Sequence, residues 1–151
     1  MKRLQITFSK SYQNMRLLHY KSKKPVWKSC TNRIIKWGRK SKSNYQFQLK
    51  TFLQPYLAAH IVYEEFPVFG TRLTLDIYDA TTKTAYEVQG EQHSKMIPYF
   101  HKDREAYLSQ IIRDDTKRIW CELNQIKLVE VYPYDLKNLS KEFFKEQNIY
   151  L

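Results

Sequence analysis

The chain has three glycines and two cysteines in 151 residues, and not one Asp or Glu before Glu64. Each scarcity excludes something. So few glycines beside twelve Tyr, eight Phe and three Trp is not the composition of a disordered chain. Cys30 and Cys121 fall in no CxxC and in no Cys/His cluster, which argues against a structural zinc site. Two free thiols in a reducing compartment are expected instead, in cytoplasm or nucleoid. No apolar run has the length of a membrane span, and there is no secretory h-region. The basic, acid-free, Ser-containing start also fits an organellar transit peptide, which keeps a matrix location open.

The missing acids divide the chain electrostatically. The first fifty residues hold fourteen Lys and Arg; the other 101 hold twelve basic and fifteen acidic residues, a net of −3. A block of this kind repels itself and calls for a polyanion. Nucleic acid is the first expectation, DNA before RNA. An anionic membrane surface is the weaker one, because the basic stretch has no clean apolar face.

Along the chain, residues 1–44 lack a clear period and read as an extended arm, with one short helix near Thr31–Trp37. Its cations Lys23, Lys24, Arg33, Lys36, Arg39 and Lys40 alternate with Trp27 and Trp37, a mixture suited to phosphate contact and base stacking. Tyr45, Leu49, Phe52, Leu53 and Leu57 then recur at helical spacing behind a Ser43 or Asn44 cap. Pro55 predicts a kink or an early end there. Strands are predicted at 61–68, 72–78 and 84–89, the last two joined by the turn "DATTK". In 72–78, Leu73, Leu75 and Ile77 alternate with Thr74, Asp76 and Tyr78. A long helix at 103–124 carries an apolar stripe of Leu108, Ile111, Ile112, Ile119, Trp120 and Leu123. A strand at 126–133 and an amphipathic tail at 136–147 complete an α/β (α+β) order, a mixed sheet flanked by helices.

One constellation carries chemistry. Period two puts Glu87 and Gln89 on one face, and an antiparallel hairpin lets Asp76 join them. Two carboxylates on adjacent strands suit Mg²⁺ or Mn²⁺, which can activate a water and stabilise charge on a phosphate. His93 follows the Gly90 turn and is a candidate general acid or base. Asp114 on the long helix can orient His93 or a water, while Arg113 and Lys117 can hold phosphate. Singly, each has a bland reading: solvated strand acids, a loop histidine, a charged helix face laced with i,i+4 pairs.

Taken together, "LDIYDATTKTAYEVQGEQH" and "IIRDDTKRIWCELNQIKLVEVYPY" resemble the PD-(D/E)XK nuclease superfamily, nearest its very-short-patch-repair-like branch with an E-D-x-H-D pattern. The resemblance spans about residues 45–134 and leaves out the basic arm. It implies a restriction-endonuclease-like fold, with a basic arm at 1–44 and a nuclease-like domain at 45–151. Asp76 matches the metal-binding aspartate, Glu87 the glutamate of the E-x-K pair, His93 the histidine after the glycine turn, and Asp114 the aspartate of an R-D motif. Two positions depart from the pattern. Gln89 stands where many members carry lysine, and only Gln46 and Gln48 occupy the first helix where a glutamate is expected. The resemblance implies a Mg²⁺- or Mn²⁺-dependent endonuclease acting on DNA through a metal-activated water. It also implies a homodimer, since many relatives of the fold dimerise, while the basic arm raises the expectation of a larger nucleoprotein assembly. The competing expectation is an architectural nucleic-acid-binding subunit that keeps the fold without the chemistry.

Overall fold

Three sequential strands joined by short turns pair antiparallel, and a fourth returns parallel because a helix carries the chain back. The computed structural model describes residues 14–90 and 101–151. Their elements are β1 (Asn14–Leu18), β2 (Pro25–Ser29), α1 (Asn44–Leu57), β3 (Val62–Pro67), β4 (Thr74–Asp79), β5 (Thr84–Val88), α2 (His101–Leu123), β6 (Lys127–Val131) and α3 (Lys141–Glu146). The main sheet has the order β3-β4-β5-β6; β6 is parallel to β5, and the other pairs are antiparallel. The fold is thus mixed α+β, as expected.

Both faces of the sheet are covered. On one, Leu49, Leu53 and Leu57 of α1 pack with Val62, Ile77, Tyr86 and Val129, joined by Phe144 of α3. On the other, Trp120 and Cys121 of α2 pack with Tyr63, Phe66, Tyr78 and Ala85. The α1 helix begins where Ser43 Oγ accepts the Gln46 amide at 3.1 Å. Pro55 does not end it early: it falls in the last turn, and the helix runs through to Leu57.

Three expectations are corrected. Residues 14–44 are not an extended arm. They form the β1–β2 hairpin, a 3₁₀ turn at Thr31–Arg33 and a ledge against β3, and Leu17, Cys30 and Ile35 are buried in the two clusters that hold the sheet. The hairpin is tied down by polar bonds as well. Trp120 Nε1 donates to the Leu18 carbonyl (2.8 Å), the Leu18 amide donates to Asn124 Oδ1 (2.7 Å), and the Tyr20 amide donates to the Phe69 carbonyl (2.8 Å).

The α2 stripe is also displaced. Leu108, Ile112 and Ile119 are exposed, and the buried face runs through Asp114, Trp120, Cys121 and Asn124. The hydrogen bonds to Leu18 fix the helix in that rotation.

Finally, the alternation in β4 breaks. Leu75 packs on the α2 side with Tyr78, while Ile77 packs on the α1 side. The break coincides with Glu65, which the flanking pairs Glu64↔Ile77 and Phe66↔Leu75 set against Asp76 and whose φ is +52°.

Candidate active site

The β4–β5 ladder ends at Ile77↔Tyr86. Where its next rung would fall, Asp76 and Glu87 replace it with side chains. The Asp76 amide donates to Glu87 Oε1 and the Val88 amide donates to Asp76 Oδ2, both at 2.9 Å. Each carboxylate thus caps its neighbour's backbone; the two meet through these bonds and not through strict strand alternation, which breaks in β4. Lys117 reaches over from α2 and puts Nζ 2.9 Å from Glu87 Oε2.

Burial governs the electrostatics. It pushes Asp76 up to about 6, with Glu65 adding to the rise and the Val88 amide, Lys117 and Lys42 opposing it. Glu87 is pushed up to about 8, by burial first and then by Asp76, against the pull of Lys117. Burial alone would lower Lys117. The charge and hydrogen bond of Glu87, with Asp76 and Asp114 behind, outweigh it and raise the lysine. A buried and a half-buried carboxylate this close resist ionising together, and one ammonium does not fully compensate them.

Around the pair lies a second polar layer that sequence reading missed. Glu65 accepts from Thr74 Oγ1 (2.7 Å) and from Gln46 Nε2 (3.1 Å). Gln46, buried on α1, also donates to Glu64 Oε1 at 3.2 Å. An amide here bridges two carboxylates, whereas a glutamate would crowd a third anion against them. Lys50, fully buried on α1, donates to Glu64 Oε2 and to the Arg39 carbonyl, both at 2.7 Å. In the sequence Lys50 and Glu65 carry no motif and Gln46 stands only at a substituted motif position, so the packing of α1 on β3 is what brings them together.

The other expected residues are placed as follows. Gln89 is buried, its backbone N–H donating to the Val131 carbonyl at 2.8 Å. Asp114 is buried on α2 and accepts from Gln110 Nε2 at 3.1 Å. Arg113 is exposed. Its neighbour Arg118 is engaged by Glu130 (2.6 and 2.9 Å) and Asp115 (2.9 Å). His93 lies outside the described residues. Trp27 is 67% exposed on β2, opposite Arg16. Trp37 is half-buried against the α1 cluster. Lys23 lies over the Tyr20 ring at 4.8 Å, and Lys24 is exposed.

The donor set suits a hard cation in one respect: two carboxyls held close together and short of countercharge. Mg²⁺ commonly takes one or two carboxylates and completes its shell with water and substrate phosphate. Among the described residues no three of His, Cys, Asp and Glu are gathered so as to hold a metal ion. A metal here would therefore rest on Asp76 and Glu87. No helix among the described residues is long and apolar enough to cross a membrane.

Three viral proteins are similar to part of this chain. Uncharacterized protein 307L of Invertebrate iridescent virus 6 is 43% identical over 74 residues, 49% of this chain and 37% of that protein. Uncharacterized protein 033L of Invertebrate iridescent virus 3 is 34% identical over 92 residues, 61% of this chain and 47% of that protein. Uncharacterized protein 094L of Frog virus 3 is 43% identical over 75 residues, 49% of this chain and 48% of that protein. The chain thus spans under half the length of these curated relatives. No family model matches the chain, and no solved structure does.

Proposed function

We propose that the chain is a metal-dependent endonuclease of restriction-endonuclease-like, PD-(D/E)XK architecture that hydrolyses phosphodiester bonds in DNA. The observation that carries this reading is the Asp76–Glu87 pair, one half-buried and one buried, joined by backbone hydrogen bonds and contacted by Lys117. The order α1–β3–β4–β5–α2–β6 supports it, with both acids at one splayed point of the central hairpin. Mg²⁺ or Mn²⁺, held by Asp76 and Glu87, would supply charge stabilisation at the phosphate.

The remaining work falls to the chain itself. Lys117 brings to Glu87 the positive charge that Gln89 lacks, and it is positioned to stabilise negative charge developing on the phosphate. Gln89 orients the attacking water by hydrogen bonding. His93, which lies outside the described residues, moves the proton. Arg113 and the ledge cations hold the flanking phosphates.

A cleavage panel with Mg²⁺ or Mn²⁺ over duplex, nicked, branched and single-stranded DNA tests this. Wild type should cut at least one substrate, Asp76→Ala none, and Lys117→Gln should be slower by roughly 10²-fold or more. Equal activity in Asp76→Ala, or no cutting by wild type on any substrate, would sink the reading.

One observation favours the architectural alternative: Lys117 already contacts Glu87, so the fold has a cation at the pair without a metal. Binding that ignores both Mg²⁺ and Asp76→Ala, with no cleavage, is its signature.

A further inference from the structure

Between the Thr31–Arg33 turn and the start of α1, the chain carries Arg33, Lys36, Arg39, Lys40 and Lys42 and no acid. The ion pairs among the described residues use Lys50, His60, Lys117 and Arg118, and none of these five. The segment that bears them is nonetheless fixed. The Ile35 amide donates to the Val62 carbonyl at 2.9 Å, and Ile34 bridges to Tyr63. Buried Lys50 ties the Arg39 carbonyl to Glu64, and Ser41 Oγ donates to the same carboxylate.

This rigid ledge and β3 enclose a cleft of about 280 Å³, with Glu64 and Glu65 on its β3 side. Glu65 faces Asp76 across the β3–β4 pair. Lys42, on the opposite wall, also acts on Asp76 electrostatically. Glu65 and Lys42 thus line the cleft and also influence Asp76, although neither Asp76 nor Glu87 lines it.

Its size and stiffness decide what fits. It lies near the lower bound of small-molecule sites, roughly 300–1,000 Å³, which leaves room for about one nucleotide. The Lys50–Glu64 clamp keeps it from widening. Unpaired phosphates can run along the five cations, and the guanidinium planes of Arg33 and Arg39 can stack on splayed bases.

We propose that this cleft takes one unpaired strand of nucleic acid by its phosphates. The Asp76–Glu87 pair then acts where a strand leaves a duplex, at a flap, fork or gap, rather than within closed duplex; this second statement rests on the nuclease reading above.

Fluorescence anisotropy with the full chain in EDTA tests the cleft apart from any catalysis. The probes are a labelled 12-mer of dT, a 12-mer of rU, a blunt duplex and a splayed fork, each titrated at several salt concentrations. The single strands and the fork should bind at least 10-fold tighter than the blunt duplex, and dT against rU tells which sugar is preferred. Lys36→Gln/Arg39→Gln/Lys40→Gln should lose at least 10-fold on single strands. Its log–log salt slope should fall by about 2, three contacts at ~0.7 each. Lys137→Gln/Lys141→Gln/Lys145→Gln removes the same charge elsewhere and should keep the single-strand preference; circular dichroism melts check that both variants fold.

Equal or tighter binding of blunt duplex, no binding of any probe, or equal losses in the two triple variants overturns the proposal. A retained strand preference with no cleavage after Mg²⁺ addition supports the cleft and counts against the nuclease reading alone.

Discussion

Asp76→Asn should make the protein more stable, and only above about pH 4. The asparagine keeps an oxygen to accept the Val88 amide that now donates to Asp76 Oδ2, so the change removes charge more than shape. In the fold, burial holds the Asp76 carboxyl at about 6 instead of 3.8, which corresponds to about 3 kcal/mol at ~1.4 kcal/mol per tenfold. Glu87 sits at about 8, with Asp76 its second cause after burial, so the substitution also eases ionisation of Glu87.

Both folded values lie above the unfolded ones. The folded state therefore binds protons more tightly, and stability falls as pH rises. The loss from Asp76 is complete by about pH 6 and that from Glu87 by about pH 8. For a chain of this size 3 kcal/mol shifts Tm by roughly 6–12 °C. Calorimetry or circular dichroism melts in EDTA should show the variant above wild type by that order at pH 8, with the gap closing toward pH 4. A gap that does not change with pH, or a variant less stable at pH 8, would refute the account of a desolvated, undercompensated pair.

Two further substitutions test the layer around the pair. Lys50→Met leaves Glu64 in its part-buried place with no ammonium, and should cost about 3 kcal/mol in urea unfolding. Adding Glu64→Leu should recover much of that, whereas a Lys50→Met loss below 1 kcal/mol would show the clamp to be unimportant. Gln46→Glu sets a third carboxylate against Glu64 and Glu65. It should lower Tm at pH 8 and recover below pH 5, and a pH-independent effect would point to packing instead of charge.

Much of the site was legible because strand geometry is periodic. The spacing of Asp76 and Glu87 about the DATTK turn sets them opposite each other once the hairpin closes, and the ladder Ile77↔Tyr86, Tyr78↔Ala85, Asp79↔Thr84 has that register. The helix cap at Ser43 was legible for the same local reason. Reading failed where partners are remote. The stripe Leu108, Ile112, Ile119 has helical period yet faces outward, because Trp120 and Asn124 answer to Leu18, more than a hundred residues away. The basic arm read as extended because its apolar residues are sparse, and the few it has are enough to seat it against α2 and β3.

The sequence by itself determined the elements from α1 onward, the α+β order, the strand pair that carries the two acids and the concentration of positive charge before residue 50. All of these depend on neighbours a few residues apart, or on composition. Only the tertiary structure decided that Lys117 contacts Glu87, that Gln46 and Lys50 manage Glu64 and Glu65, and that the basic stretch is a fixed wall beside the acids. Those are contacts between elements far apart in the chain. Their energies come from burial and charge in a shared interior, and no local pattern encodes them.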